Sequence, residues 1–316
     1  MAPSRRALAA ALAVAALLSV PAAGHAAQTF GSLLKNSPAN GPDPCVDTAP
    51  GPCTLVGYIN PNDAGDPVSS PAPGEGVIVR FRVRTSAAEA VTLRLATVTK
   101  EGDTLLAQAV RTGPTVTTQG TGEVEEFPAR LVVHQGELLA LDAPAAHMVY
   151  NQGGNRFTPL YAPPLVEGQG PRGPGADPTG ELLLQAVMEP DADGDGFGDE
   201  TQDGCPTQGS NQGACDTTGP GVRAIFVGPR KVRYRLSEDA AVTFRVQKAR
   251  RTRSGGVRYR TLRGRFTDDG VAGVNVRPLP RRFRSNRLAD GTYRLVVTAT
   301  DRFGNATRRT KRFTVG

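Results

Sequence analysis

Short alternating runs of apolar and polar residues dominate the chain. In "GVIVRFRVRT" (residues 76–85), Val77, Val79, Phe81 and Val83 alternate with Ile78, Arg80, Arg82 and Arg84, the period of two that lays one face of a strand on a core. "AVTLRLATV", "TLLAQAVRT", "FPARLVVHQGELLALD", "HMVY" and "ELLLQAVM" follow at short intervals. Turn signals such as Glu101-Gly102-Asp103, Thr112-Gly113-Pro114 and Gln135-Gly136-Glu137 separate them. Many short strands, with no convincing helical period after residue 26, predict an all-β fold in which residues 28–189 form a jelly-roll-like β-sandwich. Residues 151–180 break the pattern as a long Gly/Pro-rich loop, a type that is usually either functional or disordered.

Alternation resumes in the last third. "KVRYRLSEDAAVTFRVQK" sets Val232, Tyr234, Leu236, Val242, Phe244 and Val246 on one face and Lys231, Arg233, Arg235 and Arg245 on the other; later Tyr293, Leu295, Val297 and Ala299 alternate before a turn at Asp301 to Asn305. Residues 217–316 are thus predicted to be a second β-sandwich. Asp290, Gly291, Tyr293, Ala299, Asp301, Gly304 and Asn305 give the pattern Asp-Gly-x-Tyr, alternating apolar residues, then Ala-x-Asp-x-x-Gly-Asn. This stretch resembles bacterial immunoglobulin-like and fibronectin-type domains. The resemblance implies that Tyr293 ties a strand corner back to the backbone, and it speaks to fold, not function. No cysteine lies in this half, unlike antibody-type domains.

The N-terminus changes the compartment. Arg5 and Arg6 precede residues 7–20, a run that is apolar except for Ser19, followed by Pro21 and small residues with Gly24 and Ala26 placed for cleavage after Ala26. That is the pattern of a signal peptide over residues 1–26; the run is too short for a spanning helix. The expected mature protein is exported, with no transmembrane segment after signal removal. Cys45 and Cys53, then Cys205 and Cys215, form two close pairs. In an oxidising compartment they are expected as disulfides, and of three connectivities the short loops favour the sequential one. A zinc site is disfavoured because no histidine lies near either pair.

Charge separates the halves. Residues 28–216 carry 10 Lys+Arg against 24 Asp+Glu, net −14, whereas residues 217–316 carry 25 against 6, net +19. Between the sandwiches, residues 190–216 form an acidic linker whose core, "DADGDGFGDETQDGCP" (residues 191–206), holds five aspartates and one glutamate. With Asp191 as position 1, Asp193 is 3, Asp195 is 5, Gly196 is 6, Phe197 is 7 and Asp199 is 9. A hard dication such as Ca²⁺ takes about six to eight oxygens, and alternating carboxylates around a glycine turn, with a backbone carbonyl at position 7, supply them from one loop. A helix-loop-helix hand would need Glu at position 12. Here Gln202 occupies 12, Asp203 occupies 13, and a strand enters through Glu189-Pro190. The stretch instead resembles a thrombospondin type 3 repeat, whose Asp-rich calcium loops end in Cys-Pro, here Cys205-Pro206. The last ligand is left open between Asp203, Glu200 and water.

Little else suggests catalysis. His134 and His147 have no motif partner, all four cysteines are expected in bridges, and no metalloprotease or nucleophile-elbow motif occurs. The chain is therefore expected to be non-enzymatic, although only distances in the fold test for a glycosidase carboxylate pair. Two binding roles follow. Tyr58, Tyr150, Phe157 and Tyr161 are candidate sugar-stacking residues in or beside the long loop. Twenty-two Arg and three Lys in residues 217–316 make a surface for anionic cell-envelope polymers. Nucleic acid is disfavoured because the chain is exported and Tyr234 and Tyr259 fall at core positions. The leading expectation is a secreted structural or adhesion protein at the cell surface or in the matrix; the alternative is a sugar-binding module.

Overall fold

The computed structural model describes residues 26–38, 45, 51–59, 71–102, 104–150, 156–176, 180–280, 282–283 and 286–316. The signal-peptide reading of residues 1–26 lies outside these except for Ala26. Every element named is a β-strand, so the fold is all-β, and the chain divides into two compact units, Met1–Gly209 and Ser210–Gly316. The boundary falls after the acidic loop, so this loop belongs to the N-terminal unit instead of standing as a separate linker.

The strands of the N-terminal unit are β1 (Gln28–Gly31), β2 (Cys53–Val56), β3 (Tyr58–Ile59), β4 (Gly76–Arg84), β5 (Ala90–Glu101), β6 (Thr104–Thr117), β7 (Val124–Val133), β8 (Leu138–Ala143), β9 (Val149–Tyr150), β10 (Arg156–Phe157), β11 (Leu160–Tyr161), β12 (Glu181–Leu182) and β13 (Leu184–Glu189). One antiparallel sheet runs β1-β13-β4-β7 and the other β11-β2-β8-β5-β6, with β3 pairing β10 and β9 pairing β12. Successive strands cross between sheets at β4 to β5, β6 to β7 and β7 to β8, as in a jelly-roll-like sandwich. Their inward faces share one core that includes Phe30, Leu55, Ile78, Phe81, Leu93, Leu95, Leu141 and Leu184. A disulfide joins Cys45 to Cys53. Cys205 and Cys215 are disulfide-bonded as well, and no described cysteine is free.

One strand departs from the simple alternation. Strict period two predicts Val77, Val79, Phe81 and Val83 on a single face, but the pairing of β4 with β7 slips between Ile78 and Arg80, and β13 slips opposite between Val187 and Met188. A bulge adds one residue and flips every side chain beyond it. Ile78 therefore joins Phe81 and Val83 in the core, while Val77 and Val79 turn to the other face and cluster with Val187 and Ala27. That second apolar patch is the platform for the acidic loop.

The C-terminal unit comprises β14 (Val222–Val227), β15 (Lys231–Leu236), β16 (Ala240–Arg251), β17 (Val257–Thr261), β18 (Phe266–Gly270), β19 (Gly273–Pro278), β20 (Arg282–Phe283), β21 (Asn286–Arg287), β22 (Gly291–Thr300) and β23 (Ala306–Val315). A β14-β15-β19 sheet faces a sheet of β17-β16-β22-β23 to which β18 adds by pairing β16, and β20 pairs β21. Val232, Tyr234, Leu236, Val242, Phe244, Val246, Tyr293, Leu295, Val297 and Ala299 are all buried between them, as the alternation predicts. Tyr234 and Phe244, from opposite sheets, meet edge to face at 5.4 Å. Burial and a hydrogen bond to Asp268 keep the Tyr234 phenol protonated far above its ordinary range.

The motif residues have distinct jobs. Tyr293 is buried, and its hydroxyl donates to the Ala289 carbonyl at 2.7 Å, a tyrosine corner. At the β22–β23 turn, Asp301 accepts the backbone N–H groups of Phe303 and Asn305 and the Asn305 side-chain amide, which also donates to the Asp216 carbonyl. Although burial alone would raise it, these bonds hold the Asp301 carboxyl below its ordinary pKa. Replacing Tyr293 with Phe keeps the ring packing and loses one partly buried hydrogen bond, so the unit should lose about 0.5–1.5 kcal/mol in urea unfolding. An unchanged midpoint would show that the corner bond has no net effect.

Candidate metal centre

The acidic loop begins where Pro190 ends β13 and winds around one carboxylate. Asp191 accepts the N–H groups of Gly194 and Asp195 on Oδ1 and that of Gly196 on Oδ2, at 2.9–3.0 Å. Gly194 and Gly196 carry φ of +74° and +83°, left-handed values that favour glycine and let the chain coil so tightly. Asp195 Oδ1 accepts Phe197 N–H at 3.0 Å, and Asp199 returns to the start of the loop, accepting Ala192 N–H while its own N–H donates to the Pro190 carbonyl. Asp203 Oδ1 takes the N–H of Cys205 at 2.8 Å.

These turns bring carboxylates together. One oxygen each from Asp191, Asp193 and Asp195 lies within 4.8 Å of the others. Both carboxylate oxygens of Asp193, and Oδ2 of Asp203, are buried without a hydrogen-bond partner in the protein, and Asp203 as a residue is only 6% exposed. Buried charge without a partner is costly unless something compensates it. The strain is visible in acidity. Burial, then the charges of Asp195, Asp203 and Asp191, raise the pKa of Asp193 against the opposing pull of the nearby Asp195 N–H; burial also raises Asp199, helped by Asp191, Asp193 and Asp203 and opposed by the Ala192 N–H. Neighbouring aspartates thus press on Asp193 and Asp199 beside a three-carboxylate cluster, and a divalent cation of oxygen preference is the kind of group that would relieve them.

Two of the sequence-nominated residues behave differently from the rest. Glu200 is exposed, its Oε1 accepts the Ala27 backbone N–H at 2.8 Å, and its charge is not among those that perturb Asp193 or Asp199. Of the candidates for the last ligand, the Asp203 charge acts on Asp193 and Asp199, whereas Glu200 is engaged with the Ala27 N–H. The Phe197 ring lies under the guanidinium of Arg130 on β7, 4.4 Å from its centroid, so the side chain packs on its own unit while the carbonyl is the group nominated at position 7.

Sequence reasoning missed the residues that anchor the loop. Glu189 is 1% exposed and takes the N–H groups of Glu200 and Thr201 on one oxygen and the Thr201 hydroxyl on the other. Gln202 accepts Gly198 N–H and donates to the Ala129 carbonyl of β7. Position 12 is therefore spent on docking the loop, which explains why the acidic side chain that follows, Asp203, stands one residue later. Gly198 fits because a Cβ there would meet Glu189 and Val79 at 2.5 Å. A Glu before Pro at a strand end was the only local hint.

The long loop gives a correction. Tyr161, nominated to stack on sugar, is fully buried among Val56, Ala96, Ala107, Leu138 and Leu165, because β11 pairs with β2 and draws its side chain under the sheet. Ala107 and Arg172 exchange two backbone hydrogen bonds at 3.0 Å, pinning the returning segment to β6. The backbones of Tyr58, Tyr150 and Phe157 lie in short paired strands, and their side chains fall outside what is described. His134 is exposed, and His147 Nδ1 lies 3.5 Å from Glu89.

A cationic face occupies the β14-β15-β19 sheet. Lys231, Arg233 and Arg235 project outward from the central strand, Phe226 and Arg223 from β14, and Val274 and Val276 from β19. Phe226 is 58% exposed for a specific reason: β14 bulges between Arg223 and Phe226, with Ala224 at φ +49°, so Ile225 turns toward the core and Phe226 pairs outward beside Arg233. Among the described residues Arg223, Lys231, Arg233 and Arg235 have no carboxylate at ion-pair distance.

No family model matches this chain, and no match is found among curated proteins. Solved structures with some likeness include a β-glucuronidase of Ruminococcus gnavus (10% identical, 83% of this chain and 44% of that one, TM-score 0.17) and β-glucuronidase 2 of Bacteroides uniformis (11%, 76% and 24%, TM-score 0.14). A β-galacturonidase of Eisenbergiella tayi is 10% identical over 82% of this chain and 42% of that one, with TM-score 0.16. The chain spans less than half of each, and at these scores the likenesses carry no argument about activity.

Proposed function

We propose that this is an exported, non-enzymatic calcium-binding protein with a structural or adhesive role at the cell surface or in the matrix. The observation that carries the reading is the set of buried carboxylate oxygens on Asp193 and Asp203 without a hydrogen-bond partner, Asp193 being clustered with Asp191 and Asp195 and electrostatically linked to Asp203. Ca²⁺ bound there takes side-chain oxygens from Asp191, Asp193, Asp195, Asp199 and Asp203 and the main-chain carbonyl of Phe197, and it fastens the loop to the sandwich through Glu189 and Gln202. Two disulfides accord with an oxidising compartment. The Arg-rich face of the C-terminal unit then holds anionic polymers of the cell envelope.

Calcium titration, developed in the Discussion, tests the first half. For the second, the protein from Ala27 onward is passed over an immobilised acidic polysaccharide and a neutral one. Retention on the acidic matrix should fall by roughly tenfold between about 50 and 500 mM NaCl, because exposed charges are screened over that range, and Arg233→Ala/Arg235→Ala should reduce it at low salt. Salt-insensitive retention on the neutral glycan would instead move the role to sugar binding.

A further inference from the structure

The residue that the leader pattern marks as the first of the mature chain is held in place by the acidic loop. Ala27 packs against Val77, Val79 and Val187, one step before β1 begins its pairing of Gln28 with Met188. Its nitrogen lies 2.8 Å from Glu200 Oε1. Beside it is a cleft of about 280 Å³ lined by Ala26, Gln28, Pro73, Gly74, Glu75, Met188, Glu189 and Pro190, with two carboxylates and no basic side chain among them. An amide N–H uses only one donor in such surroundings. An ammonium would bring three donors and a full charge.

We propose that processing between Ala26 and Ala27 creates the cation this site is shaped for: the new α-ammonium of Ala27 forms an ion pair with Glu200 and locks the acidic loop onto the mature sandwich. Water adds across the Ala26–Ala27 amide under an endopeptidase of the export machinery. Ala26 leaves as a carboxylate, and the Ala27 amine takes a proton from solvent, since a free α-amino group titrates near about 7.7–8.0. The charge-assisted bond replaces a neutral one at the same position. It also accounts for the outward orientation of Glu200, which the ammonium holds away from the five aspartates, and it places a positive charge at the rim of a strongly negative loop. The inference rests on the export reading but not on calcium.

The test is a double-mutant cycle in calcium-free buffer. Protein beginning at Ala27 with a free amine is compared with the same protein capped by N-terminal acetylation, each with Glu200 and with Glu200→Gln. Capping should lower the melting temperature of the N-terminal unit by about 1–3 °C with Glu200 present, the size of one exposed charge-assisted pair, and should have no effect with Gln. An equal capping effect in both backgrounds, or none in either, overturns the ion pair. Mass spectrometry of the exported chain gives the other arm: an N-terminus at Ala27 supports the processing step, and any other terminus overturns it.

Discussion

Ca²⁺ at about 10 mM should raise the melting temperature of the N-terminal unit by about 5–10 °C, and Asp203→Asn should abolish that rise while leaving the calcium-free protein as stable or more so. The magnitude follows from mass action. A lone extracellular site binds with Kd on the order of 10⁻⁴ M, so a hundredfold excess contributes about 2.7 kcal/mol, and a domain of this size moves by about 2–4 °C per kcal/mol. The opposed signs follow from the site. Asparagine keeps the oxygen that accepts Cys205 N–H but removes a charge that presses on Asp193 and Asp199. Without the ion that removal is relief; with it, a ligand is gone.

Acidity provides an internal control on the same site. Asp193 and Asp199 have folded pKa values above the ordinary 3.8, so the folded calcium-free loop binds protons more readily than the unfolded chain. Its ionised form therefore works against folding above the raised values, and this penalty fades as pH falls through them toward 3.8. Calcium requires the ionised form, so the calcium-induced rise should shrink steadily on acidification across the same window. Calorimetric titration and melting curves at several pH values read both quantities. A rise that is the same in Asp203→Asn, or independent of pH, would remove the calcium assignment.

Tyr161→Ala should cost about 3–5 kcal/mol of stability, the range for truncating a large buried aromatic side chain, and it should do so in the absence of any sugar. The ring is fully buried in a satellite cluster between β2, β5, β6 and β8, with the Arg172 guanidinium 5.8 Å from its centroid. Urea unfolding of the N-terminal unit measures the loss. A variant with wild-type stability and impaired glycan retention would restore Tyr161 as a ligand residue, against its burial.

The legible and the hidden parts differ by range of interaction. Alternation in residues 231–248 and 293–299 read correctly because those strands run without a slip, so each apolar side chain lands where its parity puts it. Residues 77–83 misread because a bulge is a property of two strands at once: the extra residue is set by the pairing of β4 with β7 and β13, and no local pattern announces it. The same limit applies to Phe226, turned outward by the bulge at Ala224, and to Tyr161, whose Gly/Pro-rich surroundings look like a surface loop until β2 captures β11.

For the acidic loop, sequence alone determined the carboxylate types, their spacing and the glycine turns, because a short loop carries its own geometry: Asp191 meets the N–H groups of Gly194, Asp195 and Gly196 within five residues of itself. Tertiary structure alone decided how Asp203 and Glu200, the two acidic candidates for the last position, are partnered. Asp203 is driven inward and Glu200 outward by partners distant in sequence, Ala129 through Gln202 and Ala27 through its backbone nitrogen. Contacts of that kind cannot be read from spacing, since they depend on which face of the sandwich the bulge in β4 leaves apolar and open to the loop.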